Sequence, residues 1–408
     1  MDYKKQALYN TAGNLIYMAC LWVLSVLTVR LSGFEDAGVF SIAMSVGNIF
    51  YFIAMYGMRS FQASDAIRQF SGRVYIITRV VTVGIGILLC VVYLFFCDYE
   101  GYTVTAILLY LIFKCLEAGS DVLFGELQKV GHLEVCGISM SAKGIVSVIV
   151  FCAVMYFTKN LNYALAGITI VALITLFLYD TPSYTKFCKE DKNAPSQSVK
   201  ALLLIGFPML LTTVFPIMVT AIPRLQLENQ LGNEMLGIYS SISTPTVLLT
   251  TIIPNMLCPF MTYYGECYQK GENKKLYKML WLSILYSALL GLAACICAFF
   301  LGDFVLGLLF GKDVLPYMYI FIPLIIATTV YAFSMCGNSV LITIRHPFWL
   351  TSFAAAALVV CLVISEPLVK AYGMMGAVYA FGIPYGVQFM LQLIYMTYIL
   401  LKKNKGEQ

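Results

Sequence analysis

Apolar runs of about 20 residues, the length a helix needs to cross a bilayer, recur along almost the whole chain, separated by short stretches where lysine, arginine, glycine and asparagine gather. A window of about 19 residues finds twelve such runs, centred near residues 20, 50, 85, 114, 145, 170, 212, 248, 288, 325, 358 and 388. None shows the period-two alternation of a membrane-barrel strand. The pattern predicts an all-α polytopic membrane protein with twelve transmembrane helices. With 408 residues shared among twelve spans, no soluble domain fits between them. Lys4 and Lys5 ahead of the first run imitate the start of a signal peptide, but no small-residue cleavage pattern follows Val29, so this run is expected to remain as a helix.

The polar positions divide the chain in two. The longest polar connection follows the sixth run and carries Pro182 and Pro195 with a mixed charge run. It predicts an N-terminal six-helix lobe at 1–185, a cytoplasmic linker at 186–199 and a C-terminal six-helix lobe at 200–408. Shifting the sequence by 199 places Gly33, Glu35, Gly38 and Ser41 on Gly232, Glu234, Gly237 and Ser240, with Val39 and Phe40 over Ile238 and Tyr239 and Phe61 over Phe260. The expectation is a pair of pseudo-symmetric bundles in parallel orientation around a central cavity. All thirteen prolines lie beyond residue 181. Pro208, Pro216 and Pro223 interrupt the seventh span, and Pro245, Pro254 and Pro259 the eighth. Each removes a helical hydrogen bond, which makes either a static kink or a gating bend, and Pro208, Pro216, Pro223 and Pro254 are the gating candidates.

Composition agrees with the pattern. At 60% hydrophobic and 12% charged, the chain is far from a soluble enzyme, a nucleic-acid binder or a disordered scaffold, and its net charge of +5 marks no basic domain. The 13 cysteines fall mostly inside apolar runs with no C-x-x-C pair, so neither disulfides nor a metal site are expected. His132 and His346 lie outside the runs, which argues against a histidine proton relay. With alternate loops on opposite sides, nineteen of the 26 lysines and arginines collect on one side and five on the other, leaving Lys114 and Lys143 within spans. This bias puts both termini in the cytoplasm.

Charges inside spans are costly and therefore informative, at about 2.5–3.5 kcal/mol each on insertion scales. Lys114, Glu117, Asp121 and Gln128 share one face of the fourth span, and Lys143 lies on the fifth with Ser139 and Ser147. The lysines are expected to face Glu117 and Asp121. Two readings stay open: a neutralised packing cluster, or a cavity wall where the lysines meet an anionic substrate while Glu117 or Asp121 exchanges a coupling proton or sodium ion. Asn14 on the first span, Asn48 and Arg59 on the second and Arg224 on the seventh add water-lining positions. Arg30 is either a cavity residue or an interfacial arginine.

The motifs Asn10-Thr-Ala-Gly-Asn14, Gly38-Val-Phe-Ser41, Tyr56-Gly-Met-Arg-Ser-Phe-Gln-Ala-Ser-Asp65, Ile222-Pro223-Arg224 and Leu236-Gly-Ile-Tyr239 give the chain a resemblance to a known family. It resembles the polysaccharide-transport, or O-antigen and capsule flippase, branch of the multidrug/oligosaccharidyl-lipid/polysaccharide exporter superfamily over essentially its whole length. The resemblance implies a non-enzymatic flippase of a bacterial cytoplasmic membrane, moving a polyprenyl-pyrophosphate-linked oligosaccharide to the outer leaflet by alternating access. It implies no cofactor beyond an ion gradient; the partners are the lipid-linked substrate, membrane lipids and polysaccharide polymerase machinery, without nucleic acid. The chain has Ala221 where members often carry a polar residue, so no amide role transfers there. A drug exporter of the same superfamily is the alternative, and a polytopic polysaccharide-modifying enzyme is disfavoured by the short external loops.

Overall fold

The computed structural model describes residues 3–64, 70–188, 198–344 and 346–405. Among these every regular element is helical. They run in order as α1 (Tyr3–Ser32), α2 (Phe34–Met55), the short α3 (Met58–Ser64), α4 (Gly72–Phe95), α5 (Gly101–Lys129), α6 (Leu133–Thr158) and α7 (Leu161–Thr175). A π turn, Leu176–Asp180, continues α7 into α8 (Thr181–Phe187). Next come α9 (Val199–Ser243), α10 (Thr246–Gln269), α11 (Asn273–Phe310), a 3₁₀ segment at Lys312–Ile320, α12 (Phe321–Thr343), α13 (Pro347–Tyr372) and α14 (Met374–Lys405).

Among the described residues ten helices have the length and apolarity to cross a bilayer. The 29-residue α5, and the stretch from Gly232 through α10, bring the described spans to the expected twelve. Helices are the solution because hydrocarbon offers no partner to an open backbone group. Large apolar side chains such as Phe95, Phe96, Leu178 and Phe300 stay outside on the protein, three-quarters or more exposed, where they meet lipid tails.

The chain forms two compact units, Met1–Ile217 and Met218–Gln408. The division falls inside α9, next to Pro216, whereas the sequence pattern began the second lobe at residue 200. Packing explains why the first half of α9 goes with the first unit. Leu202 is buried in a cluster with Met58, Phe70, Val74, Tyr75, Val122 and Leu123, and the Tyr56 hydroxyl donates to the Leu203 carbonyl at 3.0 Å. Of the expected linker, residues 189–197 lie outside the described residues.

In the first unit α1 lies along α6 at backbone contact. A Cβ on Gly13 would sit 2.2 Å from the Gly137 carbonyl oxygen, and one on Gly137 2.2 Å from that of Tyr9. Small residues allow such approach, and in lipid this close packing replaces the hydrophobic effect as the force joining helices.

The internal repeat is visible in the backbone. Gly33, between α1 and α2, has φ 94 and ψ −176, and Gly232, inside α9, has φ 83 and ψ 175. Only glycine adopts this region readily, and the two positions are those superposed by the 199-residue shift. After each, the paired residues Val39 and Ile238, and Phe40 and Tyr239, are buried. The two units therefore share a helix–glycine–helix opening.

Candidate functional site

The first unit contains a cavity of about 390 Å³ among α1, α2, α3, α5 and α6. Its lining includes six of the residues singled out by sequence: Asn14, Arg59, Lys114, Glu117, Asp121 and Lys143. Their grouping follows from local structure. α2 ends with two consecutive left-handed residues, Tyr56 at φ 53 and Gly57 at φ 63, so the chain turns before α3 and Arg59 swings toward α5. Gln62 fastens α3 to α5, donating to the Val122 carbonyl at 3.1 Å and to Glu126 at 2.8 Å.

Asp121 is the hub. Arg59 reaches its carboxylate at 2.7 Å and its backbone carbonyl at 2.9 Å, then donates to Gln128 at 3.2 Å. Arg79 of α4 takes the other carboxylate oxygen at 3.0 Å. Arg79 is 2% exposed and also donates to the carbonyls of Ala54 and Met55, at 3.0 and 2.7 Å, where α2 runs out of internal partners. Thr82 adds a bond to the Ala54 carbonyl at 2.7 Å. One arginine thus caps a helix C-terminus, where the dipole favours a cation, and fixes the carboxylate of the hub.

Lys143 does not pair with the carboxylates of α5 as the sequence pattern suggested. Its ammonium lies 3.9 Å from Asp180 and donates to the Ser120 hydroxyl at 3.0 Å, which passes a 2.6 Å bond on to Asp180. Ser139 donates to the second oxygen of Asp180 at 2.5 Å. Lys143 and Asp180 are 1% and 0% exposed. Asp180 closes the π turn, a device that inserts a residue into a helix; Leu178 faces outward while the carboxylate is fully buried. Lys114 pairs within its own helix with Glu117 at 2.7 Å. Among the described residues, the ion pairs at and behind the cavity wall join four cations (Arg59, Arg79, Lys114 and Lys143) to three carboxylates (Glu117, Asp121 and Asp180).

The remaining expected residues lie elsewhere. Asn48 accepts a 3.4 Å bond from the Tyr110 hydroxyl and is not part of the cavity lining. Arg30 is exposed in the last turn of α1. Arg224 belongs to the second unit, half-buried beside Tyr239. The helix α9 runs unbroken through Pro208, Pro216 and Pro223, and α10 through Pro254, with Pro208 and Pro254 exposed and Pro223 buried.

Two members of the charged network escaped the sequence reading. By the alternate-loop count Arg79 falls among the nineteen cations of the lysine- and arginine-rich side, although it follows Val74, Tyr75, Ile76 and Ile77 and so already sits inside an apolar run. Asp180 stands at the end of the sixth run just ahead of Pro182, where an acidic residue reads as the first of a loop. The signal in both cases was a charge directly abutting apolar residues on its helical side.

No protein-family model matches the chain. A solved inward-facing multidrug resistance MATE family transporter of the MOP superfamily aligns at TM-score 0.68 and 17% identity over 98% of this chain and 96% of that one. A MOP superfamily transporter from Pyrococcus furiosus, described as having a binding pocket of reverse polarity, aligns at TM-score 0.65 and 15% identity over 99% of this chain and 97% of that one. The chain has the fold of the MOP-superfamily transporters. Among curated proteins, the capsular polysaccharide biosynthesis protein CapF of Staphylococcus aureus is 27% identical over 308 residues, covering 75% of this chain and 76% of CapF. The superfamily fold implied by the motifs is therefore found, in a multi-pass membrane protein.

Proposed function

We propose that this protein is a flippase that carries a polyprenyl-pyrophosphate-linked oligosaccharide from the cytoplasmic to the outer leaflet of a bacterial membrane for surface polysaccharide assembly. The observation that carries the reading is the likeness to CapF, a capsule biosynthesis protein, over three-quarters of the chain. The interior chemistry supports it. A pyrophosphate needs cations held in a low-dielectric passage, and guanidinium groups bind phosphate oxygens in pairs. Arg59 supplies a guanidinium and Lys114 and Lys143 supply ammonium groups in the first unit, Arg224 a guanidinium in the second, and Asn14, Asn48 and Arg30 are further substrate contacts in this reading. Both termini are cytoplasmic, and the lobes 1–185 and 200–408 alternate in exposing the substrate path, with Pro208, Pro216, Pro223 and Pro254 as bending points. Glu117 or Asp121 exchanges the coupling proton or sodium ion. Polysaccharide polymerase machinery receives the product.

Deleting the gene should abolish surface polysaccharide and leave lipid-linked oligosaccharide on the cytoplasmic leaflet. In complementation Arg224→Lys should restore part of the export and Arg224→Ala very little, at equal protein level, because lysine keeps the charge without the planar fork. Undiminished surface polysaccharide in the deletion strain sinks the reading. The second reading, export of a small-molecule drug, has in its favour the solved multidrug transporters of the same fold; it predicts raised drug susceptibility in the deletion strain with surface polysaccharide intact.

A further inference from the structure

The surroundings of Lys114 differ from those of the other cations. Arg59, Arg79 and Lys143 are held by hydrogen bonds to carboxylates, carbonyls or hydroxyls of neighbouring helices. Lys114 has one carboxylate, that of Glu117, and otherwise aromatic rings. Its ammonium lies 5.9 Å from the ring centre of Tyr17, 5.5 Å from Tyr51, 5.8 Å from Tyr110 and 5.3 Å from Phe113. All four are inside the range of about 6 Å over which a ring face attracts a cation. Most of the box is buried, with Lys114 7% exposed, Tyr17 5%, Tyr110 4% and Phe113 0%, while Tyr51 is half-buried. The second oxygen of Glu117 and the Tyr17 hydroxyl are buried with no hydrogen-bond partner.

Several aromatic faces and one carboxylate around a desolvated positive centre are the recognition chemistry of an organic ammonium ion. Here the centre is a side chain of the protein itself, delivered from one turn away on the helix that carries the carboxylate. Tyr17, Tyr51, Lys114 and Glu117 also line the cavity, so the box opens onto it. We propose that Lys114 is the built-in occupant of an organic-cation site and thereby a specificity-determining residue: its ammonium fills the box of Tyr17, Tyr51, Tyr110, Phe113 and Glu117 and denies it to soluble organic cations. The inference is independent of the flippase reading, because it concerns what the cavity refuses.

The probe is tetramethylammonium, added to the purified full chain in detergent, with sodium at equal concentration as the ionic control. In Lys114→Ala it should raise the thermal unfolding midpoint saturably, with an affinity at least about tenfold above wild type, the equivalent of about 1.4 kcal/mol. Adding Glu117→Gln to Lys114→Ala should weaken binding, and adding Tyr51→Ala should weaken it too. A Lys114→Ala chain too unstable to purify alone should be recovered in folded form when solubilised with tetramethylammonium and not with sodium. The proposal is overturned by a folded Lys114→Ala that ignores tetramethylammonium, by wild type binding it equally well, or by an unstable variant that sodium recovers as effectively.

Discussion

The two units open with the same glycine-broken helix pair, yet their interiors are built from different chemistry. In the first, buried charges cross-link α3, α4, α5, α6 and the π turn through Asp121 and Asp180. In the second, the fully buried polar side chains described are neutral, with the charged Arg224 and Glu228 only half-buried: Gln392 and Gln388 donate to Asn338 at 2.7 and 3.3 Å, and the Tyr264 hydroxyl donates to Ser283 at 2.8 Å. Cavities follow suit. The second unit has one of about 390 Å³ between α10, α11 and α12, lined by apolar residues such as Leu249, Ala294, Ala298 and Phe321, against a charged cavity of the same size in the first. Backbone geometry and interior chemistry are thus separable. The repeat keeps the bend because the bend sets helix direction, while the side chains inside each bundle are free to differ provided each polar group finds a partner.

That contrast has unequal energetic consequences. A buried ion left without its partner keeps its full desolvation cost, whereas a lost neutral hydrogen bond costs little more than the bond. The largest effect should therefore come from Lys143→Ala, which strands Asp180 and should lower stability by about 3–5 kcal/mol, read as the unfolding midpoint in detergent. Adding Asp180→Ala should recover most of the loss, because both charges are then gone. Adding Glu117→Ala instead should not, and recovery there would mean that Lys143 pairs with α5 after all.

An intermediate effect is expected at the feature the units share. Gly33→Ala and Gly232→Ala force alanine to φ 94 and φ 83, costing about 1–3 kcal/mol each. No heavy atom lies within 4 Å of a Cβ at either position, so the cost is one of backbone alone and should be nearly equal in the two units. Markedly unequal midpoints would break the repeat as a structural equivalence. The smallest effect belongs to Gln392→Leu, which removes one neutral bond to Asn338 while Gln388 still reaches the same oxygen. About 0.5–1.5 kcal/mol is expected, and a loss as large as that of Lys143→Ala would show that the neutral interior is as tightly coupled as the charged one.

Much of the fold was legible in the chain. Crossing a bilayer is decided within one window of about 20 residues, because transfer from water to hydrocarbon is a sum over the residues transferred, and all twelve runs became helices. Gly33 and Gly232 could be matched for a related reason, since a backbone region open only to glycine leaves glycine as its mark. Asn14, Arg59, Lys114, Glu117, Asp121 and Lys143 were found because a charge or amide in or beside an apolar run stands out against its neighbours. Partners were another matter. Nothing near Lys143 in sequence shows that its carboxylate is Asp180, which arrives from another helix through a π turn, and nothing near Asp121 shows that two arginines from α3 and α4 will meet on it. Several neutralising pairings satisfied the same charge count. Choosing among them takes helix rotation, depth and the close approach allowed by glycines such as Gly13 and Gly137. Those quantities depend on many helices at once, so the sequence by itself set which apolar runs become helices and where Gly33 and Gly232 break them, and only tertiary packing decided which charge answers which.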